Sequence, residues 1–110
     1  MKICGKRSFA LSLATVLFAH PASASSSSSA AILGVSAAVE GLGSFSQSGS
    51  RTSLPTCATS TYWSIDLSSP GGPATMAALI SAYLSNKPIS VTGTGTCNAY
   101  GQEFVSYISF

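Results

Sequence analysis

The side chains able to do chemistry are few and unevenly placed. The one histidine is His20, the three cysteines are Cys4, Cys57 and Cys97, and the carboxylates are Glu40, Asp66 and Glu103. His20 precedes Pro21 and the small trio Ala22, Ser23 and Ala24, an A-x-A pattern expected to be cut after Ala24. A chain that begins at Ser25 has no histidine, so Ser-His, Cys-His and histidine-metal chemistry lose their central group. Cys57 and Cys97 remain as an even pair, expected to form a disulfide in an exported domain, which withdraws both from thiolate catalysis and zinc ligation. The three carboxylates fall on three expected strands. They are either a pair able to flank a glycosidic bond or charges on strand surfaces, and the second reading is favoured. No catalytic residue, metal ligand or cofactor is expected.

Other short patterns also have plainer readings. Gly93 and Gly95 lie in a Thr-Gly-Thr-Gly-Thr run, but a phosphate loop needs a following lysine and helix, and Cys97 follows instead. Small residues there fit close backbone approach in a tightly coiled strand. Ser85 and Lys87 have the look of a dyad, yet Lys87 falls at an expected helix C-terminus, where a cation suits the dipole. Tyr62 and Tyr100, with Asn98, Gln102 and Ser46, form the candidate ligand-binding set: aromatic faces for stacking and adaptable hydrogen bonds for a polar ligand. The alternative is that the two tyrosines simply cover the fold.

Upstream of the cut site, Lys2, Lys6 and Arg7 form a basic head before an apolar run over residues 9–19. Those 11 residues would rise only about 16 Å as a helix, against a hydrocarbon core of about 30 Å, so they read as a leader and not as an anchor. Cys4 precedes the run, whereas a lipid-attachment cysteine would follow it. Removing residues 1–24 leaves 110 − 24 = 86 residues, one domain near the lower size limit for a self-sufficient core. The remainder keeps Arg51 and Lys87 against three carboxylates, a balance of 2 − 3 = −1, so it lacks the basic patch that nucleic-acid binding needs. The expected destination is the periplasm or the exterior, with no nucleic acid as partner and no membrane insertion. Too few alternating segments exist for a membrane barrel of eight strands.

The elements follow from periodicity. Residues 25–30 are serine-rich without apolar period and are expected to be a flexible tail. Over residues 31–39, Leu33, Val35, Ala37 and Val39 alternate as a first strand, interrupted by Gly41 and Gly43. A second strand is expected over residues 42–47 and a third over 61–67, with Trp63, Ile65 and Leu67 inward. Met76, Leu79, Ile80, Tyr83 and Leu84 then give a helical stripe, beginning at Ser69-Pro70 or Gly72-Pro73 and ended by Asn86 and Pro88. Fourth and fifth strands run from Ile89 into Cys97 and from Glu103 to Phe110. Trp63, Met76, Tyr83 and Phe104 are the expected core. The order of three strands, a helix and two strands is that of the OB-fold, a five-stranded Greek-key barrel, here over residues 31–110. An open α+β sheet with the helix on one face is the alternative.

From Cys57 onward the chain carries a longer pattern. It comprises the Tyr62-Trp63-Ser64-Ile65-Asp66 strand, Ser-Ser-Pro-Gly-Gly, the helix from Met76 to Tyr83, Asn86-Lys87-Pro88, Gly-Thr-Gly-Thr-Cys97, and an aromatic strand after Glu103. This half of the chain resembles small exported bacterial proteins similar to the B subunits of subtilase-cytotoxin and pertussis-type AB5 toxins. The resemblance implies an OB-fold, a disulfide, a five-membered ring and recognition of cell-surface glycans, but it carries over no glycan-contacting residue. The expected function is therefore an exported, non-catalytic binding module for a glycan or protein. The alternatives are a secreted or periplasmic structural or inhibitor protein, and a small hydrolase using its carboxylates.

Overall fold

The computed structural model describes residues 23–110. The basic head, the apolar run, Cys4 and His20 of the expected leader lie outside the described residues. Seven strands and one helix follow in the order β1 (Ser26–Ala30), β2 (Ile32–Ala37), β3 (Leu42–Gln47), β4 (Arg51–Thr52), β5 (Trp63–Asp66), α1 (Gly72–Leu84), β6 (Ile89–Cys97) and β7 (Glu103–Ser109). The mainly β class with one helix holds. The count of five strands does not, because the first expected strand is preceded by β1 and the short β4 pairs beside it.

All strands join one sheet in the order β2-β3-β5-β7-β6-β1-β4. Every pair is antiparallel except β5 and β7, which run parallel with Trp63 opposite Glu103. Only Ala31 separates β1, which pairs with β6, from β2, which pairs with β3. Near-continuous chain thus joins the two sides of the sheet and curls it round.

The expected tail is an ordered strand. β1 pairs with both β4 and β6, Ser26 lying opposite Thr52 and Thr92, and Ser25 and Ser27 are buried. Its inward side chains are the Ala30 methyl and the Ser27 hydroxyl, and the hydroxyls of Ser27 and of Ser25 just before the strand find partners far off in sequence. No apolar period could reveal them.

Phe45 of β3, Trp63 and Ile65 of β5, Ile89 and Val91 of β6 and Met76, Leu79 and Ala82 of α1 form the core. The inward positions of α1 differ from the expected stripe: Ile80, Tyr83 and Leu84 are exposed, and Ala82 takes the inner place. A small residue there lets the helix approach the sheet. Tyr83 is accordingly no core residue, and Phe104 is only partly buried. In β2 a register shift between Ile32 and Gly34 turns Leu33 outward, so Ile32 and Val35 pack on the core.

The helix begins between the two expected starts. Its N-cap is Gly71, with proline in the first helical positions, and Asn86 takes a left-handed φ of 53° past its end. Lys87 lies beyond the last turn, with Nζ 5.4 Å from the Phe110 ring centroid.

Candidate functional site

Around Glu103 the fold brings its scarce charges together. Glu103 opens β7, and its fully buried carboxylate accepts from four donors. Arg51 Nη2 donates to Oε1 at 2.8 Å, Ser25 Oγ also donates to Oε1, and the backbone N–H groups of Ser25 and Gly95 donate to Oε2 at 3.1 and 3.2 Å. A carboxylate offers about four lone-pair sites, so this one is saturated. Gly93 makes the arrangement possible: a Cβ there would overlap the Glu103 carboxylate and press on Trp63. Gly95, at φ +84°, occupies the left-handed region that turns its N–H onto Oε2. The paired glycines thus serve close approach, as expected of them, and their partner is a carboxylate of this chain.

Arg51, in β4, is held from three sides. Its guanidinium donates from Nε and Nη2 to Ser25 Oγ at 3.3 and 2.9 Å, pairs with Glu103, and stacks on Trp63 with Cζ 3.7 Å from the ring centroid. A stacked guanidinium out of water is worth about 2 kcal/mol. Burial lowers the Arg51 pKa, while the charge of Glu103 and the hydrogen bond to it act the other way. Trp63 closes the arrangement from below, its Nε1 donating to Gln47 Oε1 at 3.2 Å. Gln47 Oε1 also accepts from Ser27 Oγ at 2.6 Å, and Gln47 Nε2 donates to the Ile89 carbonyl at 2.8 Å, which joins β1, β3, β5 and β6 through one amide.

Above this base lies a cleft of about 430 Å³, within the span of about 300–1,000 Å³ usual for small-molecule sites. Its base is Arg51 over Trp63. Its walls are the loops on either side of β4, lined by Ser50, Thr59, Ser60, Thr61 and the half-exposed Leu54. Trp63 itself is fully covered, so a ligand meets the guanidinium edge rather than the indole face. Of the guanidinium's five N–H groups, Nη1 spends one on the Ser60 carbonyl at 3.5 Å. The other Nη1 hydrogen has no acceptor among the described residues. The disulfide Cys57–Cys97, with Cα atoms 5.9 Å apart, ties the loop after β4 to the end of β6 and so fixes the cleft wall.

The expected ligand-binding set is differently disposed. Tyr62 and Tyr100 are exposed. Asn98 and Gln102 build the β6–β7 turn: Asn98 Oδ1 accepts from the Tyr100 and Gln102 backbones, and Asn98 Nδ2 donates to Gln102 Oε1 and to Ser64 Oγ. Asn98 Oδ1, Asn98 Nδ2 and Gln102 Oε1 are occupied in shaping the chain. Ser46 lies in β3 opposite Gly34, and none of the five lines the cleft. Arg51, the one arginine outside the expected leader, was the available signal in a chain with only 7% charged residues, where each charge needs a reason.

The three carboxylates have separate lives. Glu40 is exposed in the β2–β3 turn, and Asp66 accepts from the Ser68 hydroxyl and backbone N–H. Those two hydrogen bonds hold the Asp66 carboxyl below its usual range. Asp66 stands three residues along β5 from Trp63, the partner of Glu103, a rise of about 10 Å on the opposite strand face. No known family model, curated protein or solved structure matches this chain.

Proposed function

We propose that this chain is an exported binding module that takes a hydroxyl-rich ligand, a cell-surface glycan, in the cleft above Arg51. The observation that carries the reading is the lining itself: four hydroxyl-bearing residues, a charged donor with one N–H that has no acceptor among the described residues, and one large apolar side chain on the wall, Leu54, around about 430 Å³. Sugars are recognised by many short hydrogen bonds to hydroxyls with an apolar patch beneath a ring, and this wall offers both. The Cys57–Cys97 disulfide fits an oxidising destination. The strand order fits the OB-fold, since taking β1 and β2 as one bent strand and setting β4 aside leaves five strands closing on themselves, with the helix between the third and fourth. A protein partner or a ring of identical copies is the second reading. It is favoured by the exposed Ile80, Tyr83 and Leu84 on one side of α1.

A glycan array probed with the exported protein, alongside light scattering, tests the proposal. Binding to a defined glycan class, lost in Leu54→Arg with an unchanged melting temperature, is the expected result. A folded protein silent on the array, or a Leu54→Arg variant that binds as well as the parent, would overturn it. A single protomer mass would refute the ring.

A further inference from the structure

The exposure pattern at the start of β1 changes abruptly at one bond. Ser23 and Ala24 are exposed, and Ser25 is completely buried. That bond is the one the A-x-A pattern marks for cutting, a reading made from residue types upstream and independent of burial. We propose that the chain is cleaved between Ala24 and Ser25, and that the ammonium group so released becomes a structural ion of the fold, paired with Glu103. The proposal rests on the leader reading and does not depend on what the cleft binds.

The reaction is hydrolysis by a leader peptidase: water adds across the Ala24–Ser25 bond, Ala24 departs with the carboxylate, and Ser25 keeps an amine that is protonated at neutral pH. The receiving site is already built. Ser25 N lies 3.1 Å from Glu103 Oε2, while Arg51 Nη2 lies 2.8 Å from Oε1. Each carboxylate oxygen then faces one cation. An uncut chain offers Oε2 only neutral backbone N–H groups, those of Ser25 and Gly95. Cleavage turns one such neutral contact into a charge-assisted one, roughly twice as strong, and leaves the added hydrogens of the ammonium towards the side where the leader departed. Glu103 of β7 and Arg51 of β4 are the charged groups that hydrogen-bond Ser25, and the Ser25 hydroxyl bridges them, donating to Glu103 and accepting from Arg51. The small side chain after the cut is thereby explained as well: its Oγ is part of the same network.

Burial also sets the order of events. A peptidase needs its substrate extended and accessible, whereas Ser25 in the folded chain is enclosed and its carbonyl accepts from Gly93 N at 2.8 Å. Cutting therefore precedes the docking of β1, and release from the leader completes the fold.

The test uses the full 110-residue chain expressed with export. N-terminal sequencing and intact mass of the exported product should give Ser25 as the first residue. An N-terminal serine carries a 1,2-amino alcohol that periodate oxidises to an aldehyde, read by mass. The native protein should react at least about tenfold more slowly than the same protein in denaturant, as for a group held in a well-formed buried pair. Inserting one alanine between Ala24 and Ser25 displaces the ammonium by a residue, and should lower the folding equilibrium constant about tenfold, the loss of one charge-assisted contact. A product that is uncut or begins elsewhere, native periodate reactivity equal to the denatured rate, or an insertion product sequenced to begin at the added alanine whose stability is unchanged would each overturn the proposal.

Discussion

Replacing Glu103 by glutamine keeps the volume of a fully buried side chain and removes its charge. Arg51, whose side chain is 8% exposed, would keep its own charge with no counter-charge. Breaking a buried pair from one side costs about 3–5 kcal/mol, since the stranded ion stays desolvated. The amide adds a second conflict. Its oxygen can serve one side of the site, but its NH2 must face either the Ser25 and Gly95 N–H groups or the Arg51 guanidinium, donor against donor. A domain of about 86 residues, the size expected once residues 1–24 are removed, has a total stability of roughly 4–13 kcal/mol at about 0.05–0.15 kcal/mol per residue. At about 4–8 °C per kcal/mol for this size, the melting temperature should fall by at least about 12 °C. Thermal unfolding followed by Trp63 fluorescence and near-ultraviolet circular dichroism measures it directly, because the indole carries the guanidinium on its face. The double variant Arg51→Met, Glu103→Gln removes the stranded guanidinium and should recover the part of the loss that Arg51 carries, the Ser25 amine still facing the amide. A fall below about 3 °C in the single variant, or no recovery in the double one, would refute the account of this pair as a closed buried ion network.

Gly93→Ala should destabilise by more than the roughly 1–3 kcal/mol usual for overpacking, because the added carbon meets the Glu103 carboxylate and Trp63 together; chemical denaturation reads it. Cys57→Ser with Cys97→Ser should cost about 4 kcal/mol on the chain-entropy estimate for a loop of about 41 residues. It should also weaken any ligand of the cleft by freeing the wall, whereas intact mass of the parent should differ by about 2 Da with and without reductant, two hydrogens for one disulfide. Asp66 is a carboxyl with a lowered folded pKa, so its contribution is present above the ordinary value of about 3.9 and lost as pH falls through the folded one. The gap in melting temperature between the parent and Asp66→Asn should therefore be open at about pH 6 and narrow as the pH falls below the ordinary carboxylate value of about 3.9, and a gap that stayed constant would contradict the Ser68 contacts as its cause.

Features that depend on neighbours within a few turns of chain were legible in the residues alone. Alternation placed Trp63 and Ile65 inward, and the glycine interruption at Gly41 and Gly43 set off β3 at residues 42–47. The break at Pro70 to Pro73 and the stop at Asn86 framed α1, and an even count of cysteines outside the expected leader paired Cys57 with Cys97. Local rules suffice there because strand period, helix period and turn chemistry are set by adjacent side chains.

The remaining features arise only when distant segments meet. Ser25 reaches Glu103 across 78 residues and Arg51 reaches it across 52, and no period or motif links positions so far apart. β1 stayed hidden for the same reason: serines inside a sheet look like a polar tail until the carboxylate and amide that receive their hydroxyls are in place. The cleft, too, belongs to loops with no regular pattern, shaped by what they are tied to. In a domain this small, polar groups can go inward only where closing the sheet brings every partner at once, and that closure is a property of the whole chain.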